Sequence, residues 1–278
     1  MAFSDSYNSL YSNESILVPV KAATVFAAHE SSLFLGGQLI PAVSAPNGLL
    51  KVPKISGGTA SNMGSGSSAI ADITAAAVTG SAVDLVCDLY AARTVVRDLG
   101  AIDPTEIGRQ LGNKISATFD KDVALAMAGL TGQEIASGNL DLEEIFAAVA
   151  TIRGAGETGQ LYGVVSTNAY AALMGAIGST AYAGGDLFQG QALRSGYFGT
   201  IAGVQMFVSS YLNDTNTGIT GTKAAIFGQD AMRIAMQKNV DVEIARRAEA
   251  VGNDVVASLH ATVGVVDAAR GVLIKDAA

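Results

Sequence analysis

The sequence predicts an α+β fold, and three observations carry that expectation. A long capped helix opens at Asp103-Pro104-Thr105-Glu106. Alternation of apolar and polar residues with a period of two marks strands on both sides of it, over 81–97 and 255–266. Helices and strands otherwise mix without a regular βαβ repeat. A chain of 278 residues is long enough to bury a sizeable core without help from disulfides or metals.

In chain order, residues 1 to about 15 are rich in Ser, Asn and Tyr and read as a polar arm that orders only on contact. A short helix is expected over 20–30. Three prolines, Pro41, Pro46 and Pro53, then accompany many glycines and serines, culminating in the tract 56–68, which is read as a loop or linker. Just before it, 49–55 is strand-like, and its proline confines it to a sheet edge. The run 81–97 reads as one half-buried strand, with Val83, Leu85, Cys87 and Leu89 on one face and Asp84, Asp88 and Tyr90 on the other.

The helix that follows carries the strongest local signature in the chain. Asp103 stands at the N-cap, Pro104 at the first helical position and Glu106 at the capping-box position. Ile107, Leu111, Ile115, Phe119 and Val123 recur at helical spacing, so a helix of roughly 40 Å is expected from Pro104 to about Gly129. A second amphipathic helix is expected over 142–153, capped by Asn139 or Asp141. A strand at 161–165, a helix at 168–177 and a glycine-rich loop at 178–190 follow. Strands are then read at 201–208, 223–227, 232–236, 240–245 and 255–266, the last with Ser258, His260 and Thr262 on its wetter face.

Composition narrows the function. A net charge of -8 disfavours tight nucleic-acid binding, which rests on clustered cations. Cys87 is alone, and His29 and His260 are the only histidines, so neither a disulfide, a cysteine zinc site nor a catalytic metal centre built only from protein ligands is expected. The longest apolar stretch, 16–28, is interrupted by Pro19 and Lys21 and falls short of the roughly 20 residues a membrane span needs. The opening Met1-Ala-Phe-Ser-Asp-Ser6 lacks a basic and an apolar region, so no secretory signal is read. With 49 % hydrophobic residues, 32 glycines and only 15 % charged residues, the surface is expected to be covered by other copies of the chain. The glycines are expected chiefly in loops.

Catalytic motifs are few, and each has an ordinary structural explanation. Gly154-Ala-Gly156-Glu-Thr-Gly159 matches G-x-G-x-x-G, but a helix precedes it and a strand follows, the reverse of a dinucleotide site; a turn is expected. His260 with Asp254 or Asp267 lacks a nucleophile motif, and His29 beside Glu30 reads as an ordinary helical residue. Cys87, with Asp84 and Asp88 nearby, reads as a buried, inert thiol. Arg246 and Arg247 between Glu243 and Glu249, and Arg93 and Arg97 beside Asp98, read as salt-bridging residues, and Lys51 and Lys54 as solvated loop lysines. No catalytic, cofactor-binding or metal-binding residue is assigned, no cofactor is implied, and the chain is expected to work by assembling rather than as an enzyme.

The order of elements, together with several stretches, resembles the HK97-type major capsid proteins of tailed bacteriophages. The stretches are Tyr90-Ala-Ala-Arg-Thr-Val-Val-Arg-Asp98, leading into the long helix; Leu193-Arg-Ser-Gly-Tyr-Phe-Gly-Thr-Ile-Ala-Gly-Val-Gln-Met-Phe-Val-Ser-Ser210; Ala225-Ile-Phe-Gly-Gln-Asp-Ala-Met232; and Ala250-Val-Gly-Asn-Asp-Val-Val-Ala-Ser-Leu-His-Ala-Thr-Val-Gly-Val-Val266. The resemblance spans nearly the whole chain, and its specificity lies in the joint order of degenerate motifs.

The resemblance implies an N-terminal arm over 1–35 and an extended E-loop over 36–80. A P-domain strand and spine helix would occupy 81–138, an A-domain 139–230, and strands returning to the P-domain 231–278. It further implies hexamers and pentamers of one chain in an icosahedral virion shell, assembled in the host cytoplasm. That shell would enclose double-stranded DNA without sequence-specific binding and without a membrane. The implied partners are a separate scaffolding protein, a portal and, as an optional one, a decoration protein. Two alternatives stay open: an encapsulin-like nanocompartment shell of the same fold, and a soluble α/β enzyme using Gly154–Gly159 for a phosphate.

Overall fold

The computed structural model describes residues 13–57, 78–97, 103–135, 138–177 and 199–277. Most of the expected polar arm, nearly all of the tract 56–68 and the loop 178–190 lie outside them. Among the described residues the strands form a four-stranded sheet, a six-stranded sheet and a two-stranded hairpin.

The first helix, α1 (Asn13–Ser31), begins seven residues before the expected start at Val20 and carries Pro19 inside it. Pro19 lies in the second turn and has no amide to offer the Ser15 carbonyl four residues back, so the helix gives up one internal bond there. Strand β1 (Ala42–Ser44) was not foreseen; it pairs in parallel with the longest of the described strands. β2 (Leu49–Gly57) and β3 (Val78–Val86) form the antiparallel hairpin, with Pro53 opposite Ala82. Both its outer edges are unpaired among the described residues, so the missing proline amide costs no ladder bond.

The expected single strand over 81–97 is two. β3 ends at Val86, and β4 (Asp88–Arg97) belongs to a different sheet. The break at Cys87 resets the alternation: Leu85 is buried, whereas Leu89, expected on the same face, is 62 % exposed and Tyr90 is buried instead. Tyr90 packs edge-on against Phe119, with ring centroids 5.7 Å apart.

Helix α2 (Pro104–Met127) runs about 36 Å at 1.5 Å per residue. Asp103 caps it, accepting from the Thr105 amide at 2.9 Å. The expected capping box is not seen: the Glu106 carboxylate is instead taken up by Arg109 and Gln110 one turn on. Its buried face, Leu111, Ile115, Phe119 and Val123 among others, meets α1 and the four-stranded sheet.

That sheet is ordered β1-β10-β11-β4. β10 (Met232–Arg247) is one strand where two were expected, because register shifts between Met236 and Asp241 absorb the polar interruption Gln237-Lys238-Asn239 without ending the ladder. β11 (Gly252–Val265) lies between β10 and β4 and buries alternate residues from Val255 to Ala261, leaving Ser258, His260 and Thr262 partly exposed as predicted.

The six-stranded sheet is ordered β5-β12-β9-β6-β8-β7. Its members are β5 (Thr131–Ile135), β6 (Leu161–Ser166), β7 (Thr200–Ile201), β8 (Val204–Ser209), β9 (Thr222–Gly228) and β12 (Gly271–Asp276). α3 (Leu142–Gly154), entered at Asp141, and α4 (Thr167–Ile177) pack on it around Ile145, Ile152, Leu161 and Ile226. The strand expected over 201–208 is a tight hairpin, since Ala202 and Gly203 both take positive φ between β7 and β8. The last strand departs from expectation: β12 pairs with β9 and β5, not with the strands beside α2. Its buried run Val272-Leu273-Ile274 fits the middle of a sheet covered on both faces.

Candidate functional site

The residues that sequence reading weighed for catalysis are dispersed through the fold. The loop Gly154–Gly159 folds onto its own carboxylate. Arg153 donates to the Glu157 and Gly159 carbonyls, both at 2.9 Å, and Glu157 Oε1 accepts from the Gly159 amide at 2.8 Å. Glu157 is 5 % exposed, and its other oxygen lies 3.3 Å from Arg270. An amide that a bound phosphate would use is therefore spent internally.

His260 stands opposite Leu89 and Lys238 in the sheet. Asp254 is six residues away on the same strand, about 20 Å at strand spacing, and is held by Arg93. Asp267 is held by Lys54 at 2.9 Å, so no His–Asp–Ser constellation forms. His29 lies on α1 beside a surface groove. Cys87 is half-buried rather than buried, and its Sγ donates to the Ala235 carbonyl at 3.6 Å. Burial, with a smaller push from Asp88, holds its thiol above the ordinary range, away from the reactive thiolate. Among the described residues no group of three metal-ligating side chains occurs.

Two of the expected salt-bridging residues are seen with partners: Arg93 grips Asp254 through two nitrogens, Nε at 2.7 Å, and Arg247 lies 3.9 Å from Glu249, while the Arg97 side chain and Asp98 lie outside the described residues. Lys51 and Lys54 are not free loop lysines: Lys51 is 3.4 Å from Asp84 across the hairpin, and Lys54 reaches Asp267. Sequence reading missed the centre of this charge pattern, Arg270, which also reaches Asp230 at 3.1 Å. Its partners lie 40 and 113 positions away in the chain, beyond the reach of local spacing.

The described surface carries exposed apolar contact area. Val18 and Phe26 on α1 are 69 % and 68 % exposed. An apolar groove flanks Phe26 on each side, about 640 Å³ toward Leu17 and Val25 and about 560 Å³ toward Ala23 and Ala27. Among the described residues β4 has a neighbour on one edge only, and a groove runs between β4 and α2 past Arg93, Lys114 and Lys121. Val86, Leu89, Leu125 and Phe146 add further exposed apolar side chains.

No family model matches the sequence, and no curated protein matches it. Solved structures do. The capsid of the cyanophage P-SCSP1u is 15 % identical, with a TM-score of 0.68 over 86 % of each chain. The capsid of a native GTA particle is 14 % identical, with a TM-score of 0.65 over 87 % of this chain and 89 % of that one. A virus-like particle from Pyrococcus furiosus is 11 % identical, with a TM-score of 0.65 over 93 % and 99 %. The fold is that of HK97-type capsid proteins. The α+β class and the resemblance drawn from element order both hold.

Proposed function

We propose that this chain is a major capsid protein that self-assembles into the icosahedral shell around the double-stranded DNA of a tailed phage. The observation that carries this reading is agreement with capsid structures over more than four-fifths of the chain. Two features of the surface support it. Large apolar side chains stand exposed on α1, β3, β4 and α3, a pattern of contact surfaces. The loop a phosphate-binding enzyme would need is closed by Glu157.

In this reading the β2–β3 hairpin is the stem of the E-loop, α2 with the four-stranded sheet is the P-domain, and the six-stranded sheet is the A-domain. The P-domain so defined excludes 131–135 and 271–276. Each subunit lays its E-loop over a neighbour, and many weak contacts add through closed symmetry in hexamers and pentamers. A scaffolding protein and a portal are the expected partners. The net charge of -8 suits a wall that encloses DNA without gripping it.

Electron microscopy of the purified protein, alone and co-expressed with a scaffolding protein from the same source, tests the proposal. Closed shells are expected, and particles from the native source should contain DNA and a portal. Shells filled with an enzyme instead would establish a nanocompartment, and persistent monomers under all conditions would overturn shell formation altogether.

A further inference from the structure

The β2–β3 hairpin is attached to the rest of the molecule at two separated points of different character. At its root, Leu85 packs with Ala45 and Ala235, and Leu50 and Val83 flank the cluster. A Cβ on Gly264 would collide with Leu85, so that glycine is the notch into which the root fits. Leu50 faces Leu85 in the register, and Lys54 faces Ser81, four positions further out. At strand spacing this places the second attachment, Lys54 to Asp267 at 2.9 Å, about 13 Å beyond the first.

Asp267 stands in the turn between β11 and β12, beside the short 3₁₀ turn Ala268–Arg270. Its other oxygen faces Arg270 Nε at 3.3 Å. Arg270 in turn reaches Glu157 at 3.3 Å, and Glu157 is buried and fixed by the Gly159 amide. Gly228 completes that seat, since a Cβ there would come within 2.7 Å of the Glu157 side chain. The same guanidinium holds Asp230, in the turn from β9 to β10.

The two arms of this network differ in strength. Lys54 is 42 % exposed, and an ion pair so exposed contributes on the order of a few-fold in an equilibrium and yields to salt. The Arg270–Glu157 arm is shielded on the carboxylate side, where removing a partner leaves a buried charge unpaired.

We propose that Asp267 and Arg270 form a strut that fixes the angle of the β2–β3 hairpin through a releasable contact at Lys54, while the buried contact at Glu157 anchors the strut to the six-stranded sheet, which stays docked on the four-stranded sheet through their shared core. Release at Lys54 lets the hairpin pivot about its Leu85 root without loosening the rest of the fold. The device is a property of the single chain and stands apart from the assembly reading.

The test uses the full chain with Cys87→Ser and paired spin labels. Labels at Ala82→Cys and Thr151→Cys report the hairpin against the six-stranded sheet. Labels at Ala245→Cys and Thr151→Cys report one sheet against the other. Lys54→Met should at least double the width of the hairpin distance distribution and leave the sheet-to-sheet distribution unchanged. Salt at about 1 M should do the same to the unsubstituted protein and add nothing to Lys54→Met. An unchanged hairpin distribution in Lys54→Met would overturn the strut. Equal broadening of both distributions would overturn the separation into weak and strong arms. Asp267→Asn provides a second variant at the same contact and should broaden the hairpin distribution alone.

Discussion

Replacing Gly112 in the middle of α2 by alanine should destabilise the protein, although the substitution improves intrinsic helix propensity. In an exposed helix, Gly→Ala is worth about 1 kcal/mol in favour of the folded state. Here α1 crosses α2 at backbone contact. A Cβ on Gly112 would lie 2.5 Å from the Thr24 carbonyl oxygen and 3.0 Å from the Ala27 side chain, and one on Gly108 would lie 2.5 Å from the Val20 carbonyl. Neither obstacle is the end of a flexible side chain, so α1 must move bodily by more than half an ångström to restore contact distance. Overpacking of this kind costs about 1–3 kcal/mol, which offsets the propensity gain and leaves a net loss of up to about 2 kcal/mol. For a chain of this size that corresponds to a fall in Tm of a few degrees. Gly175 in α4 provides the control, because a Cβ there would meet no atom within 4 Å and alanine should stabilise by up to about 1 kcal/mol. The assay is denaturant unfolding of unassembled wild type, Gly112→Ala and Gly175→Ala. If Gly112→Ala is as stable as or more stable than wild type, the close crossing does not govern this interface and the reasoning fails.

Asp120 supplies a pH prediction. Its carboxylate accepts from Ser32 Oγ at 2.6 Å and the Leu33 amide at 3.3 Å, yet burial raises its pKa from 3.8 to about 6. The folded state therefore holds the extra proton, and stability contributed by this group falls as pH rises between about 4 and 6. Asp120→Asn should remove a loss on the order of 3 kcal/mol, read as a flatter stability profile between pH 4 and 7 by denaturant titration; identical slopes in the two proteins would refute it. Phe26→Ser with Val18→Ser should change folding stability by no more than about 0.5 kcal/mol per site, because both side chains are largely exposed. The same pair should impair shell formation as scored by electron microscopy. Glu157→Ala should cost about 1–3 kcal/mol, since it leaves the Gly159 amide without its acceptor and takes one of three carboxylates from Arg270, and calorimetry should show it unfolding below wild type.

Local signals were legible wherever the physics is local. The Asp103–Pro104 start and the apolar face of α2 are set within a few turns of one helix, and the alternation of β11 is set by one strand's two faces. What failed depended on partners far away in the chain. Nothing near Cys87 shows that β3 and β4 leave it for different sheets, because the choice is made by β2 on one side and β11 on the other. No separate strand was read over 271–276; the segment was only included in the stretch expected to return to the P-domain, and its actual neighbours β5 and β9 lie too far away in the chain for local pattern to show. Lys54 read as a solvated loop lysine, and Arg270 was missed, for the same reason: their partners stand 213 and 113 positions away.

Glycine shows how the two kinds of information combine. Sequence reading placed the 32 glycines chiefly in loops, as sources of mobility. At several described positions they do the opposite. Gly108 and Gly112 admit α1 against α2, Gly228 seats Glu157, Gly264 seats Leu85, and Gly271 seats Leu130, each at a distance no Cβ would tolerate. Backbones and buried groups brought this near gain dispersion contacts on both sides, which compensates a chain with only 6 % aromatic residues and no tryptophan to fill larger gaps. Small residues at the crossings also make those crossings rigid, because the only way to open them is to move a whole helix or sheet. Motion is then left to the parts joined by exposed ion pairs, and the β2–β3 hairpin, seated at its root by Gly264 and held further out by Lys54, is the element the fold leaves freest to turn.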